Sequence, residues 1–361
     1  MDIRERPLEE LVVTSAFWSG RRVLLTGHTG FKGAWLTLWL QRLGAHVTGI
    51  ALPPADHDGA FRALGPWTDL DSHFVDIRRR PEFRAVVEGS DPQVVFHLAA
   101  QPLVRAGFSN PVDTYEVNVM GTVNLLEALD RAASLEAVVV VTTDKVYADA
   151  GDGRPMAEHD RLGGLGAYST SKACSELVAK GWVWSEQRPG LATARAGNVI
   201  GGGDVAPDRL LPDARRALRS GLPLRLRYPK AIRPWQFVLE PLHGYLLLAE
   251  RLAECPLATP AALNFGPQRE AEIPVEDVVE RAFRMAGGGR WELENGAQPH
   301  ESPVVRLDAG LAAATIGWQP RLDLDTALEW TLEWWRAEAE GASLSALAHA
   351  QIDRYEVLLA H

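Results

Sequence analysis

The sequence lacks the features that mark secreted, disulfide-rich and membrane-spanning proteins. It has 2 cysteines in 361 residues, Cys174 and Cys255, which are too few for a disulfide framework or a cysteine-rich metal site. No apolar run approaches the roughly 18 to 20 residues that a membrane helix needs. Residues 1–10 are acidic and contain no apolar segment of the kind found in secretory signals. The sequence therefore predicts a cytoplasmic protein without a metal site or a membrane anchor.

An excess of positive charge is also absent. The chain has 37 lysines and arginines against 47 aspartates and glutamates, so its formal net charge is -10 at pH 7. A protein that binds nucleic acid needs a basic face that releases counterions from the phosphate backbone. We therefore predict a small-molecule ligand and no nucleic-acid partner. With 46% hydrophobic and 23% charged residues, the composition is that of a folded globular protein.

Short apolar segments rich in β-branched residues alternate with amphipathic segments in the first half of the chain. The apolar segments predict buried parallel strands, at residues 22–25, 46–50, 94–98 and 137–141. The amphipathic segments between them are long enough for crossover helices, as at residues 35–43 and 122–133. This alternation predicts an α/β fold with a Rossmann-like, doubly wound parallel sheet.

Glycine and proline become frequent after Asn198, which is typical of a smaller, loop-rich lobe. We predict that a dinucleotide-binding domain and a mixed C-terminal substrate-binding lobe share the chain. The first comprises residues 1–197 with a return segment near 235–265, and the second residues 198–234 and 266–361. Near the end, residues 324–338 repeat apolar side chains at helical spacing and predict a core-facing helix.

A glycine-rich loop, residues 27–33, follows the first predicted strand and leads into a helical pattern. Its spacing is G-x-x-G-x-x-G. Glycine permits a tight turn, lets the backbone approach a pyrophosphate and lets helix and strand pack closely, while the helix N-terminus faces the phosphates. The loop predicts a dinucleotide site formed by Gly27, His28, Gly30, Phe31, Lys32 and Gly33.

The second predicted strand lacks the acidic residue that usually binds the adenosine ribose. It ends with residues 49–53, Gly-Ile-Ala-Leu-Pro, so Asp56 or Asp58 would have to reach the ribose hydroxyls instead. We favour NAD over NADP as the cofactor. Asp76 and Ile77 follow the next strand-like segment, where an adenine ring would be held, although Asp76 is equally compatible with a surface turn.

Tyr168 and Lys172 are four residues apart in a helical segment and therefore lie on one face of it. An ammonium beside a phenol favours the phenolate, so Tyr168 can take a hydroxyl proton while hydride leaves the same carbon. The pattern Y-x-x-x-K is common by chance and alone would indicate only a surface pair. Its position after a glycine-loop domain favours the catalytic interpretation.

A polar cluster stands at the end of the strand formed by residues 137–141. Thr143, Asp144 and Lys145 follow it, and residues at the carboxyl end of a parallel strand face the ligand crevice. A solvated charged turn is the simpler interpretation of Asp144 and Lys145. Beside a hydride-transfer centre, the pair instead offers an acid and a potential base.

Several segments together resemble CDP-D-glucose 4,6-dehydratases of the extended short-chain dehydrogenase/reductase superfamily. The resemblance covers nearly the whole chain from Phe17 and rests on residues 27–33, 97–105, 195–204, 233–236 and 316–320. The chain departs from the family at Phe237, where the family has histidine, and in residues 148–161. Both departures are expected to border the substrate site.

The resemblance implies an intramolecular oxidation and reduction of a nucleotide-activated hexose, with loss of water. Tyr168, assisted by Lys172 and Thr143, would deprotonate the C4 hydroxyl while NAD takes the C4 hydride. Lys145 would then remove the C5 proton, and Asp144 would protonate the departing C6 hydroxyl. The related dTDP-glucose enzymes have Asp-Glu where this chain has Asp144-Lys145.

The same resemblance implies further binding residues. The cofactor site would include Leu98, Ala99, Ala100 and Gln101. Asn198 and Arg233 would lie near the diphosphate of the substrate and Arg209 near its nucleotide, since the guanidinium fork matches paired phosphate oxygens.

Two other functions share part of this pattern. A nucleotide-sugar 4-epimerase would also need the glycine loop, Tyr168 and Lys172, but not an acid and a base after Thr143. An NAD-sensing binding protein on the same fold would tolerate loss of Tyr168 or Lys172, and both are present. A 4,6-dehydratase acting on another nucleotide sugar remains an alternative substrate assignment.

Two predicted helices, in residues 122–133 and 171–184, have apolar residues on more than one face. Such helices can pair across a two-fold axis. We therefore predict a homodimer or a dimer of dimers.

Overall fold

A computed structural model describes residues 13, 15–54, 59–149, 151–185, 189–296, 298 and 301–360. Its strands are β1 Arg22–Thr26, β2 His46–Ala51, β3 Leu70–Phe74, β4 Val94–His97, β5 Ala137–Val141, β6 Gly190–Ala196, β7 Asn198–Ile200, β8 Leu224–Leu226, β9 Ile232–Phe237, β10 Ala262–Phe265, β11 Glu272–Pro274 and β12 Trp291–Leu293. The four strands predicted from apolar segments all form, within one residue of the expected ends.

Helices separate most of these strands. They are α1 Ser15–Trp18, α2 Phe31–Arg42, α3 Ala60–Leu64, α4 Arg80–Ser90, α5 Val104–Ser109, α6 Pro111–Tyr115, α7 Gly121–Leu129, α8 Gly166–Gly181, α9 Leu210–Ser220, α10 Leu239–Glu254, α11 Val275–Met285, α12 Gly310–Ile316, α13 Leu324–Ala339 and α14 Leu344–Leu359. A π-helical turn, Glu116–Met120, joins α6 to α7, and Asp144–Val146 and Arg269–Ala271 form 3-10 turns. No helix in the described part of the chain is long and apolar enough to cross a membrane.

Seven parallel strands form the main sheet, in the order β10-β6-β5-β4-β1-β2-β3. Every residue of β4 and β5 is buried, because helices cover both faces. The order of strands reverses between β1 and β4, and ligands of doubly wound sheets bind at such a switch point, outside the carboxyl ends. The predicted Rossmann-like sheet is confirmed.

A smaller mixed sheet lies beyond the main one. Its order is β11-β9-β7, with β7 parallel and β11 antiparallel to β9, and β8 pairs separately with β12. These strands fall in the later, glycine- and proline-rich part of the chain, while β10 returns to the edge of the main sheet. The division into two domains at the predicted residues stays a prediction.

The predicted tail helix forms as α13 and buries Trp330 and Trp334. Phe237 packs edge-to-face on Trp330, with ring centroids 5.4 Å apart, and is fully buried. The expectation that Phe237 borders the substrate site is therefore wrong. Its ring belongs to the aromatic core beneath β9.

The last helix, α14, is held on the core by buried polar contacts. Tyr355 donates a 2.8 Å hydrogen bond to Glu240 of α10, whose other oxygen accepts from the backbone N–H groups of Arg321 and Leu322. Trp39 of α2 donates to Glu356 at 2.9 Å and packs against the Tyr355 ring. Burial raises the pKa of Glu240 from 4.5 to about 7.

We expect Glu240→Gln to remove part of the pH dependence of folding. The carboxyl of Glu240 holds its proton more tightly when folded, so its contribution to stability is present below about pH 4.5 and is lost as the pH rises to about 7. At pH 8 the variant should be more stable than the wild type, by on the order of 3 kcal/mol. Urea denaturation of both proteins at pH 5 and pH 8 measures the free energy of unfolding. If that free energy changes between the two pH values by the same amount in the variant as in the wild type, the prediction is contradicted.

Candidate active site

A cavity of about 1050 Å³ opens at the carboxyl ends of the main sheet. One wall consists of the glycine loop and the ends of β4 and β5. The opposite wall comes from the segment around β7, from α9 and from the loop after β8. The switch point of the sheet thus faces residues of the smaller sheet across an open cleft.

The glycine loop is closely packed against neighbouring backbone. Gly27 has φ +81°, and a side-chain carbon there would lie 2.7 Å from the amide nitrogen of Ala99. A carbon on Gly33 would lie 2.1 Å from the carbonyl oxygen of Gly27. Helix α2 begins directly after Gly30, so the N–H groups of its first turn point toward the glycine loop and have no partner within the helix. This is a cradle that fits a diphosphate.

His28 faces away from the cavity. Its ring Nε2 lies 2.7 Å from the Ser72 hydroxyl on β3, and the ring packs over Gly49, where any side-chain carbon would approach it to 2.5 Å. Burial lowers the pKa of His28 to about 4, so the ring is neutral at neutral pH. His28 is absent from the described residues that line the cavity, and its contact with the cofactor stays a prediction.

Lys32 does line the cavity. Its ammonium lies 3.3 Å from the hydroxyl of Tyr245. Burial lowers the pKa of Lys32 to about 7, with smaller contributions in the same direction from Lys172 and Arg209. Lys32, in the glycine loop, therefore loses its proton more easily than an ordinary lysine.

Asp76 and Ile77 lie in the cavity wall. The Asp76 carboxylate accepts from Arg78, with a shortest separation of 2.7 Å, and these hydrogen bonds lower the pKa of Asp76. Ile77 is buried. Leu52, at the tip of β2, also lines the wall. The proposed ribose contacts Asp56 and Asp58 lie outside the described residues.

After β4, Leu98, Ala99 and Ala100 line the cavity, whereas Gln101 does not. The Gln101 side chain instead donates to Thr114 and accepts from the backbone N–H of Leu103. Gln101 therefore shapes the loop from behind and is not placed as a cofactor contact.

Asn118 in the π-helical turn was missed by the sequence interpretation. It accepts from the N–H of Gln101 at 2.8 Å and donates to the hydroxyl of Ser171 at 2.9 Å. It thereby ties the loop after β4 to the helix of Tyr168. A π-helical turn often accompanies a functional site, but no local sequence pattern marks this one.

Thr143, Tyr168 and Lys172 meet where β5 ends. Burial raises the pKa of the Tyr168 phenol above its usual value. The hydrogen bond between Tyr168 and the Thr143 side chain lowers that pKa and offsets part of the effect. The ammonium of Lys172 donates to the carbonyl of Val141 at 3.0 Å. Burial lowers the pKa of Lys172 to about 8. The three side chains face the cavity from one strand end and one helix face.

Asp144 and Lys145 stand beside them in the 3-10 turn. The buried Asp144 carboxylate accepts from the Thr143 hydroxyl at 2.9 Å and from the Lys145 ammonium at 3.1 Å through one oxygen. Its other oxygen is buried without a hydrogen-bond partner among the described residues. The Lys145 ammonium also reaches the Asn198 amide oxygen, at 3.5 Å. An acid, a base and a phenol thus share one corner of the cleft.

Two arginines close the other side of the cleft. Arg209 is held by the carboxylate of Asp204 at 3.0 Å, and the buried Arg233 donates to Glu301 at 3.1 Å. Glu301 also lies 3.6 Å from Arg227. Glu301 was missed because it follows Arg233 by 68 residues, a separation that no motif links.

The sequence matches the NAD dependent epimerase/dehydratase family over residues 23–258. It is 40% identical to a CDP-glucose 4,6-dehydratase of Salmonella typhimurium, over 95% of this chain and 98% of that protein. It is also similar to the solved structure of MoeE5 in complex with UDP-glucuronic acid and NAD. That structure is 26% identical with a TM-score of 0.75, over 88% of this chain and 99% of the other.

An epimerase structure from Methanothermobacter thermautotrophicus is similar in fold. Its TM-score is 0.81 at 20% identity, over 93% of this chain and 98% of the other. At this identity the likeness supports the architecture alone.

Proposed function

The chain belongs to the NAD dependent epimerase/dehydratase family, and from this premise we propose that it dehydrates CDP-D-glucose to CDP-4-keto-6-deoxy-D-glucose. The observation that carries the proposal is the Thr143-Asp144-Lys145 turn beside Tyr168. An epimerase that oxidises and reduces at C4 has no use for an acid and a base at this place. A 4,6-dehydratase needs both.

The residues of the cleft fit NAD. Gly27 and Gly33 let the loop pack against backbone more closely than a side-chain carbon would allow, and this packing shapes the cradle proposed for the diphosphate. Asp76 and Ile77 would hold the adenosine end, and Leu98 to Ala100 would cover the middle of the dinucleotide. When bound, NAD would supply the acceptor for the C4 hydride and the donor for hydride at C6.

Tyr168 is the proposed base for the C4 hydroxyl. The Thr143 hydroxyl orients the phenol. The ammonium of Lys172, one turn along the same helix, is proposed to stabilise the phenolate that takes the proton. Burial of both side chains keeps water from competing for this proton. The 4-ketone that results acidifies the hydrogen on C5.

Lys145 is the proposed base at C5, and Asp144 the proposed acid at C6. Through their 3.1 Å contact the ammonium would first pass a proton to the carboxylate, which leaves a neutral amine to take the C5 proton. The carboxyl can then protonate the C6 hydroxyl as it leaves as water. The unpartnered oxygen of Asp144 is available for that contact.

The substrate diphosphate is proposed to bind between Asn198 and Arg233, with Arg209 near the nucleotide. Glu301 holds the guanidinium of Arg233 at 3.1 Å. Binding of the nucleotide sugar would exchange that carboxylate for phosphate oxygens.

A panel of CDP-, UDP-, dTDP- and GDP-glucose, each with NAD, tests the proposal. Mass spectrometry should show the loss of one water from CDP-glucose. An unchanged mass together with a galactose configuration in the product would support the epimerase. If only another member of the panel loses water, the assignment of the substrate changes and the proposed reaction stands.

We further propose that the chain forms a homodimer or a dimer of dimers in the cytoplasm, where its two unpaired cysteines stay reduced. The leucines of helix α7 are buried in this chain. Exposed apolar side chains instead lie on α5, α6, the π-helical turn and α8: Phe108, Val112, Tyr115, Met120 and Leu177.

Sedimentation at micromolar concentration should give at least a dimer. Phe108→Glu with Val112→Glu should shift the mass toward the monomer, because charge would enter the contact. Leu257→Glu, at another exposed apolar residue, is the control and should leave the mass unchanged. A monomeric wild type would refute the assembly.

A further inference from the structure

Glu176 is a buried carboxylate on the helix of Tyr168 and Lys172. It lies one turn beyond Lys172, and its side chain is 3% exposed. Its oxygens accept from the hydroxyls of Thr142 and Thr193, the latter at 2.6 Å. The guanidinium of Arg195 donates to it at 2.6 Å. None of these contacts belongs to the acid and base steps described above.

The partners of Glu176 are themselves fixed. Arg195, on β6, also donates to the hydroxyl of Tyr147 at 2.8 Å, and Tyr147 donates to Asn264 of β10 at 2.7 Å. Thr142 precedes Thr143 directly at the end of β5. The carboxylate therefore connects three neighbouring strands to the helix that holds the phenol and the ammonium.

The charges around Lys172 give Glu176 a second consequence. Glu176 raises the pKa of Lys172 against the larger effect of burial. Other titratable or charged groups around this pair are Tyr168, one turn earlier on α8, and Arg195 of β6, which is paired with Glu176. Lys32 from α2 repels the charge of Lys172, and His97 from β4 is a group whose pKa burial lowers to about 3. Glu176 is thus the negative charge that favours the ammonium.

We propose that Glu176 is a positioning residue that keeps Lys172 charged and aligned with Tyr168 during oxidation at C4. This inference rests on the proposed roles of Tyr168 and Lys172. A purely structural ion pair would join α8 to β6 and affect stability alone. A positioning residue also sets the pH at which cofactor reduction begins.

The test is Glu176→Gln, which keeps the shape and removes the charge. Lys172 should lose its proton at a lower pH, so the phenol of Tyr168 should ionise at a higher pH. The pH midpoint of single-turnover cofactor reduction should therefore rise by about one unit, with a roughly tenfold lower rate at neutral pH. Glu176→Asp should restore most of the wild-type profile.

Thr193→Val is the matched control, because it removes one hydrogen bond to Glu176 and no charge. It should lower the melting temperature and leave the pH midpoint unchanged. If Glu176→Gln does not fold, the double variant with Arg195→Gln removes the stranded guanidinium, and the alkaline shift should persist. A folded variant without negative charge at position 176 that keeps the wild-type midpoint would overturn the inference.

Failure of the proposed function would be visible separately. It would appear as a wild-type enzyme that forms no dehydrated product from any nucleotide-glucose. Failure of the inference would appear as an unchanged pH midpoint in an enzyme that does form the product.

Discussion

Lys145→Ala should reduce its cofactor and then stop. Tyr168, Lys172 and Thr143 remain in place, so C4 is still oxidised, but no amine removes the C5 proton. Loss of a general base slows a step by about a hundred- to ten-thousand-fold. Stopped-flow absorbance of reduced nicotinamide should rise and persist, while mass spectrometry shows a 4-keto-glucose that retains its C6 hydroxyl.

Tyr168→Phe is the contrasting variant and should block cofactor reduction as well as loss of water. In heavy water, the wild-type product should contain solvent deuterium at C5, since the proton taken there exchanges before it is replaced. If Lys145→Ala loses water at the normal rate, or folds without reducing NAD, the assignment of this lysine is wrong.

Gly33→Ala should abolish most of the affinity for NAD. The new methyl group would lie 2.1 Å from the carbonyl oxygen of Gly27, which is backbone and cannot rotate away. The loop would have to shift by roughly 1 Å, and a displacement of that size at a binding site can cost about a hundredfold. Isothermal titration with NAD should show the dissociation constant rising by about that factor.

Gly89→Ala is the control for this substitution. Gly89 lies in α4, and nothing within 4 Å would meet its added carbon. Alanine should stabilise the helix by up to about 1 kcal/mol and leave the affinity for NAD unchanged. Wild-type affinity in Gly33→Ala would show that the loop does not hold the diphosphate.

The sequence allowed prediction of the sheet because its central strands are unambiguous. β4 and β5 are buried on both faces, so their residues are apolar apart from His97 at the end of β4, and they cannot be confused with amphipathic helices. The edge strand β3, Leu-Asp-Ser-His-Phe, is largely solvated and has no such pattern. Helix α7 ends at Leu129, four residues before the predicted end, because the apolar period alone does not show where a turn begins.

The site was harder to predict than the fold. Tyr168, Lys172 and the Asp144-Lys145 pair belong to local patterns, so their proximity to the glycine loop followed from the topology. Contacts between residues far apart in the sequence are not marked by any local sequence pattern. His28 is inside the glycine motif, yet its ring turns toward Ser72 because Gly49 leaves space there. Sequence spacing places a backbone atom, but packing decides which way the side chain points.

The contact between Trp39 and Glu356 joins residues 317 positions apart. On the ribosome, the glycine loop and α2 emerge long before α14 can cover the buried indole. The apolar surface of α2 around Trp39 therefore stays uncovered by α14 until synthesis is nearly complete. Packing around Trp39 is thus completed only after α14 has been synthesised.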